Sequence, residues 1–382
     1  MGRNVEPGGR RPAVRIGVHR ALAAWGCIAM LAACQSGVQS AQHPTPTKAS
    51  AVSPSAQMSP EPSATASPDL PLSTVTFSCR LPVLVHPSLI SWAGGFATFP
   101  GGTYQEDPAG GLIWIGDGLV ATQAEPMVSA YGDSPFYDLA MKRFIPASPA
   151  QTSPDGRTYA LVTNSLGGTQ ATVDVVTVAS GSERRLNISL QPVHVADFDG
   201  RYAYLVGQGV WRIDTTTGAL NQVSLERSTI LVRGGNLWVG RVNPADPSPP
   251  RASPARIELP QGGRLVDSIA QVNPNTGIET TWIYRPGEEV FLLGFDAAGH
   301  PVVAVSHGPD INAWKDTVLV LNSPGDRGTH VSDGAVLLNH VQADGGRIWF
   351  GSDRGIYLWT PGGGLQKVFA SNQPVAPGGL CV

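Results

Sequence analysis

Side chains that could do chemistry are scattered along this chain and form no motif. No H-E-x-x-H, G-x-S-x-G, P-loop or C-x-x-C sequence occurs, so the usual signatures of metalloproteases, serine hydrolases, nucleotide-binding proteins and redox proteins are missing. None of the dispersed histidines has a metal-ligand partner at short spacing. We therefore expect no metal, no cofactor and no enzymatic activity. The histidines considered are His86, His194, His300, His307, His330 and His340.

The segment around residue 197 allows more than one interpretation. Asp197-Phe198-Asp199-Gly200 resembles half of a calcium loop, but it lacks a third acidic position and a later glutamate. We interpret it as a hairpin turn. His194 and His340 fall on predicted inner strands, where each is interpreted as a satisfied polar residue. A ligand contact in a central funnel is the alternative for both.

The elements that must position these residues are short strands. Gly and Pro account for 45 and 33 of the 382 residues, which disfavours long helices. Hydrophobic residues make up 42% of the chain and occur as short Val, Ile, Leu and Trp runs between glycines, which is typical of an all-β protein. The formal charge of -3 provides no basic surface for nucleic acid.

Residues 74–382 contain repeats of four short strands joined by tight turns. The clearest repeat covers residues 193–225, and similar units follow at 229–284, 290–331 and 337–369. Apart from two long insertions, the first-hairpin glycines recur at a spacing near that of four-stranded propeller blades. We predict a closed β-propeller of six blades, or of seven if residues 100–145 hold another. The glycines are Gly95, Gly156, Gly200, Gly235, Gly299 and Gly346.

Two repeats resemble known propeller families. Ser153-Pro154-Asp155-Gly156-Arg157 resembles the blade opening of TolB-like and WD-repeat propellers, and residues 344–357 resemble a blade of sensor-type propellers. The resemblance extends over most of residues 150–382 and implies the propeller fold without a function. The chain lacks the Gly-His and Trp-Asp dipeptides of true WD repeats. It also lacks the separate N-terminal domain of TolB.

The N-terminus has the layout of an export signal. Five arginines between Arg3 and Arg20 precede the uncharged residues 21–33, a stretch too short to span a bilayer. This stretch ends in Leu31-Ala32-Ala33-Cys34, which resembles the lipobox of bacterial lipoproteins. The resemblance implies a signal peptide at residues 1–33 and a lipidated Cys34 that anchors the mature chain to a bacterial membrane, outside the cytoplasm.

Residues 34–73 are predicted to be a disordered tether between this anchor and the propeller domain at 74–382. Residues 35–73 contain nine Ser and seven Pro and no aromatic residue, so the segment cannot bury enough apolar surface to offset its ordering entropy. The same composition is compatible with a glycosylated or a bare stalk.

The four cysteines divide between these segments. Cys27 lies in the signal peptide and Cys34 carries the lipid, which leaves Cys79 and Cys381 at the two ends of the domain. In an oxidising exported compartment we predict that these two form a disulfide, with Cα atoms within about 7 Å. Two free thiols are the alternative.

The predicted function is a non-catalytic binding or scaffold module at the cell envelope, acting as a monomer on an envelope protein or glycan. Two long loops, 244–263 and 308–316, each follow the second strand of a repeat, and we expect them to form one docking surface. The alternative is a propeller enzyme of the glycosidase, lyase or quinoprotein type, since carboxylates from several blades can converge in a central funnel without a local motif. The candidate loop residues are Arg251, Arg256, Trp314 and Lys315.

Overall fold

The short apolar runs form strands throughout the described part of the chain. The structure, a computed structural model, contains 26 strands and one short 3-10 helix, Pro149–Gln151, among the residues that it describes. The all-β prediction is confirmed. The described residues are 69–88, 91–107, 113–114, 135–145, 147–163, 170–190, 193–242, 266–307, 315–334 and 336–382.

Four consecutive sheets are four-stranded antiparallel meanders whose strands follow chain order from one edge to the other. They coincide with the four clearest predicted repeats, which are therefore confirmed. We number them IV to VII. Sheet IV contains β10 (His194–Phe198), β11 (Tyr202–Gly207), β12 (Gly209–Asp214) and β13 (Leu220–Ser224); sheet V contains β14 (Thr229–Arg233), β15 (Asn236–Arg241), β16 (Ser268–Val272) and β17 (Glu279–Tyr284); sheet VI contains β18 (Glu289–Phe295), β19 (Pro301–His307), β20 (Lys315–Val320) and β21 (Thr329–Asp333); sheet VII contains β22 (Asn339–Asp344), β23 (Arg347–Gly351), β24 (Gly355–Thr360) and β25 (Gly364–Ala370).

Three further sheets, I to III, complete the described part of the fold. In sheet I the strand order is β26-β1-β2-β3, and β4 also pairs with β2. Sheets II and III have two and three described strands, so the number of blades stays a prediction. Sheet I contains β1 (Cys79–Ser88), β2 (Ser91–Phe99), β3 (Thr103–Glu106), β4 (Ile113–Trp114) and β26 (Val375–Pro377); sheet II contains β5 (Phe136–Asp138) and β6 (Arg143–Ile145); sheet III contains β7 (Thr158–Thr163), β8 (Ala171–Thr177) and β9 (Glu183–Ile188).

Gly95 is not a hairpin turn, contrary to the sequence-based prediction. It lies inside β2, where it pairs with Val83 of β1 and Glu106 of β3. A Cβ atom at this position would lie 2.5 Å from the hydroxyl oxygen of Tyr104. Here glycine permits the close approach of an aromatic ring to a strand, which is its other common use besides a turn.

The burial pattern shows that the sheets are stacked face to face. All residues of β19 from Pro301 to Ser306 are buried, so both faces of this middle strand are covered. Outer strands are more open, and β13 exposes Asn221 and Gln222. Apolar clusters fill the space between neighbouring sheets, as where the rings of Trp238 in sheet V and Phe295 in sheet VI lie 4.9 Å apart. This stacking of successive meanders is the arrangement of propeller blades.

The two ends of the domain meet in sheet I. Strand β26 pairs with β1, and Arg80 and Val382 exchange two backbone hydrogen bonds of 3.1 Å. Cys79 and Cys381 form a disulfide with a Cα–Cα distance of 5.4 Å. The predicted pairing of these cysteines is confirmed. Closure of the sheets into a ring stays a prediction.

The described chain begins in the segment predicted to be a tether. The Asp69 carboxylate accepts a 2.5 Å hydrogen bond from the Tyr357 hydroxyl and forms an ion pair with Lys367. Leu72 then forms a parallel bridge to Lys367, so the chain enters along the edge strand β25. Among the described residues, no helix is long and apolar enough to cross a membrane.

Candidate active site

A row of polar side chains crosses sheet IV. Asp197 of β10 is the register partner of Tyr204 in β11, and Tyr204 is the partner of Arg212 in β12. Direct partners in antiparallel strands point to the same face, with Cβ atoms about 4.5–5.5 Å apart. All three side chains are partly accessible to solvent. The row therefore places an acid, a phenol and a guanidinium side by side.

A β-bulge sets the composition of this row. Between Val195 and Asp197 the register of β10 shifts by one residue, which leaves Ala196 without a direct partner. Because of the bulge, His194 and Asp197 oppose Val206 and Tyr204, two residues apart on β11, and so lie on one face. The bulge re-aims Asp197 onto the face that carries Tyr204.

The same bulge recurs in the first strand of sheets V, VI and VII, which allows the row to be compared between sheets. The position of Asp197 is taken by Leu231, Gly294 and Val341 in the other three sheets. Apolar residues or glycine are therefore compatible with the fold at this position, and the fold does not require a carboxylate there. The equivalent rows are Leu231, Trp238 and Gln271 in sheet V, Gly294, Val302 and Val320 in sheet VI, and Val341, Phe350 and Tyr357 in sheet VII.

The environment of Asp197 favours its protonated form. Burial raises the pKa of Asp197 to about 6, the nearby Asp199 carboxylate adds to this effect, and Arg233 opposes it. The backbone N–H of Phe198 also donates a 3.1 Å hydrogen bond to Asp197 Oδ1, which favours the charged form. A partly accessible carboxyl with a pKa near neutrality can both give and take a proton, as general acid–base catalysis requires.

Arg233 brings sheet V to this carboxyl. It ends β14, and β14 lies against β10. The guanidinium carbon of Arg233 is 4.1 Å from the ring centroid of Phe295. Partial burial lowers the pKa of Arg233, whereas the carboxylates of Asp296 and Asp197 raise it. Arg233 therefore interacts electrostatically with carboxylates from both neighbouring sheets.

Asp296 and Asp199 have turn-forming roles. Asp296 Oδ1 accepts hydrogen bonds from the backbone N–H groups of Ala298 and His300, and Oδ2 is 3.0 Å from His300 Nδ1. Asp199 Oδ1 accepts from the backbone N–H groups of Arg201 and Tyr202. The Asp199 contacts agree with the predicted hairpin turn. Of these three carboxyl groups, only that of Asp197 does not hold a turn together.

A second polar row lies in sheet VI and is much less accessible. Glu289, Ser306 and Asp316 are successive register partners, and the Ser306 hydroxyl donates a 2.5 Å hydrogen bond to Asp316 Oδ1. Glu289 is only 1% exposed and Ser306 only 3%. A substrate cannot reach groups this deep without rearrangement, so the row in sheet IV is the better candidate site.

His194 shares the face of Asp197 but has a different protonation state. Burial lowers the pKa of His194 to about 4, so the imidazole is neutral at pH 7. His194 is therefore a neutral polar group in the folded domain, and both interpretations of it from sequence stay predictions. His340 is the bulge residue of β22 and has a positive φ of 48°.

The half-buried His194 should make the domain sensitive to acid. The unfolded chain takes up this proton near pH 6.5 and the folded chain only near pH 4, so stability is present above pH 6.5 and is lost as the pH falls through 4. For a shift of this size the loss reaches at most about 3 kcal/mol. In His194→Gln, the free energy of unfolding measured with urea should depend less on pH between 6.5 and 4. His330→Gln, which changes an exposed histidine, should leave this pH dependence as it is. An unchanged slope in His194→Gln would contradict this assignment.

The predicted loop residues are only partly within the described chain. Lys315 opens β20 and is exposed, whereas Arg251, Arg256, Trp314 and Cys34 lie outside the described residues. Both predicted loops follow second strands, since β15 ends at Arg241 and β19 at His307. Sequence reasoning missed the polar row itself. Comparing the repeats position by position would have singled out Asp197, where other repeats have apolar residues or glycine.

No group of three or more His, Cys, Asp or Glu residues that could hold a metal ion occurs in the described part of the chain. No protein-family model and no curated protein matches the sequence.

Several solved structures are similar at low identity. The β-propeller domain of the Trilobed protease from Pyrococcus furiosus is 15% identical with a TM-score of 0.40, over 78% of this chain and 85% of that one. The tricorn protease is 16% identical with a TM-score of 0.40, and the match covers 78% of this chain and 26% of that one. The acylaminoacyl peptidase of Pyrococcus horikoshii is 13% identical with a TM-score of 0.38, and the match covers 77% of this chain and 46% of that one. This chain therefore spans less than half of the latter two proteins.

The expectation that the chain is not an enzyme is not supported by these comparisons. All three structures come from proteases or a peptidase. The absence of a local motif does not exclude a site, because residues on separate strands can form one that no motif reveals. The identities are too low to carry over the role of any residue, so a reaction has to be argued from the site of this chain.

Proposed function

We propose that this chain is an exported enzyme that cleaves a glycan by general acid–base chemistry, with Asp197 as the proton-transferring group. The observation that carries the proposal is the position of Asp197: a partly accessible carboxyl in a polar row, at a place where sheets V, VI and VII have Leu231, Gly294 and Val341. Carboxyl groups are the usual acids and bases of glycosidic bond cleavage.

The chemistry follows from the protonation of Asp197. With a pKa of about 6, a substantial fraction of this carboxyl is protonated in mildly acidic surroundings and can donate its proton to the oxygen of the breaking bond. For hydrolysis, the ionised group then takes a proton from the water that adds to the sugar carbon at which the bond broke. For elimination, it takes a proton from a neighbouring sugar carbon, and that proton goes to the leaving oxygen as the double bond forms. Arg233 lies near it and favours the return to the carboxylate.

Incubation of the full-length exported protein with acidic and neutral polysaccharides tests this proposal. Release of new reducing ends without unsaturated sugar would assign a glycosidase, and ultraviolet-absorbing unsaturated products would assign a lyase. Absence of any cleavage across the set, by protein whose melting curve shows that it is folded, would refute the proposal.

We further propose that the enzyme is held at the outer side of a bacterial membrane by lipid on Cys34. The lipobox-like Leu31-Ala32-Ala33-Cys34 supports this proposal, together with the Ser- and Pro-rich stretch behind it. The loops at 244–263 and 308–316 are proposed to contact an envelope protein or glycan through Arg251, Arg256, Trp314 and Lys315.

Replacement of the anchor cysteine should release the protein. We expect the original protein to partition into the detergent phase in a Triton X-114 separation, and Cys34→Ala to remain uncleaved or to move to the aqueous phase, because no thiol is left to carry the lipid. Cys27→Ala, a cysteine inside the proposed signal peptide, is the matched control. Unchanged partitioning of Cys34→Ala would exclude the lipid anchor.

A further inference from the structure

The arginines near the polar row differ in whether a carboxylate neutralises them. Arg201 is paired with Asp214 at 3.0 Å, and Arg241 is held between Glu226 at 2.8 Å and Glu279 at 2.7 Å. Within the part of the chain that the structure describes, Arg212 has no carboxylate within 4 Å. Its positive charge is therefore not balanced by a direct ion pair.

Aromatic contact holds Arg212 in place. Its guanidinium carbon is 4.7 Å from the ring centroid of Tyr202, and that of Arg201 is 4.9 Å from the same ring. A cation–π contact fixes the plane of the guanidinium without consuming its N–H groups. Arg212 therefore presents donors that are free for a planar oxyanion, which arginine binds through two parallel hydrogen bonds.

Arg212 also stands at the right place relative to the acid. Tyr204 alone separates it from Asp197 in the row, so the two charged groups lie about two strand spacings apart, roughly 10 Å. This spacing is comparable to the span of one or two sugar units. An anionic group held at Arg212 would leave a neighbouring glycosidic bond close to Asp197.

The row ends against an apolar layer that limits where a ligand can lie. Val206 and Val210, the next register pair on this face of β11 and β12, pack with Val232 and Leu237 of sheet V. A sugar chain is therefore restricted to the side of the row where Tyr202 lies.

We propose that the polar row of sheet IV takes an acidic glycan, with the carboxylate of a uronic acid unit bound by Arg212. This proposal rests on the proposed function, because it names the substrate class of the same site. A sulfated sugar offers similar oxyanion chemistry and is separated from a uronate by the experiment below.

Calorimetric titration with uronate oligosaccharides tests the assignment. The ligands are oligogalacturonate, its methyl ester and a sulfated neutral oligosaccharide of equal length. We expect binding of oligogalacturonate by the original protein and by Asp197→Asn, and at least about tenfold weaker binding by Arg212→Gln, because a charge-assisted pair of hydrogen bonds is lost. Arg212→Lys keeps the charge without the planar fork and should fall between these.

The controls separate the possible failures. Arg157→Gln removes an exposed arginine side chain from the turn before β7 and should bind like the original protein. Equal affinity for the methyl ester, preference for the sulfated sugar, or full binding by Arg212→Gln would overturn the uronate assignment. If Asp197→Asn cleaves glycans normally while Arg212→Gln loses binding, the proposed role of Asp197 fails but the recognition of an acidic glycan holds.

Discussion

Asp197→Asn should lower the rate of glycan cleavage by about 10²- to 10⁴-fold, the usual contribution of a positioned acid or base. The amide has nearly the shape of the carboxyl but cannot transfer a proton. In the original protein the cleavage rate should change with pH around 6, since burial raises the pKa of Asp197 to about that value. Initial rates measured from pH 4 to 8 check both expectations.

The substitution should not harm the fold. A carboxyl whose pKa is raised in the folded state contributes stability that is present below its unfolded pKa near 3.8 and is lost as the pH rises through 6. Asp197→Asn removes this loss, so the variant should melt at the same temperature as the original protein at pH 4 and at an equal or higher temperature at pH 8.

A neighbouring carboxylate provides the matched control for this prediction. Asp199 lies two residues away on the same hairpin, and its Oδ1 accepts hydrogen bonds from the backbone N–H groups of Arg201 and Tyr202. An asparagine can accept the same bonds through its side-chain oxygen, so Asp199→Asn should retain most of the activity. Normal cleavage by Asp197→Asn, or an equal loss in both variants, would contradict a specific role for Asp197.

The sequence predicted the four regular sheets because each has tight turns that glycine marks. Gly200, Gly235 and Gly346 adopt positive φ values of 94°, 75° and 88° in first hairpins, a conformation that glycine adopts without strain. Gly95 misled the prediction since a glycine inside a strand and a glycine in a turn look alike in sequence. Only the contact with the Tyr104 ring distinguishes them.

The polar row could not be derived in the same way. Asp197, Tyr204 and Arg212 belong to three strands, and they share a face only because the bulge at Ala196 shifts the register of β10. A shift of one residue moves a side chain from one face of a sheet to the other. Neither spacing nor composition indicates where such a bulge falls. The cysteine pair could be predicted since assigning Cys27 and Cys34 to the proposed signal peptide and anchor left one pairing.

Removing the disulfide should destabilise the domain by up to about 5 kcal/mol. The bond between Cys79 and Cys381 closes a loop of 302 residues. In the chain-entropy model, the stabilisation by a disulfide increases only slowly with loop length beyond about 100 residues. Cys79→Ala/Cys381→Ala should therefore unfold at lower urea concentration than the oxidised original protein. The original protein after reduction should approach the double variant, because the loss comes from the missing cross-link and not from the alanines.

The part of the domain that loses stability without the disulfide would show how the cross-link acts on the fold. Strand β26 is short and pairs with β1 over Val375, Ala376 and Pro377, and beyond it Gly378 and Val382 add backbone hydrogen bonds to β1. Without the cross-link this strand should fray first. Hydrogen exchange at Val83 and Val85 of β1 should then accelerate well before exchange at the buried Val303 in sheet VI. If exchange rises uniformly instead, the disulfide acts on the unfolded chain alone and does not hold the two ends of the domain together in the folded state.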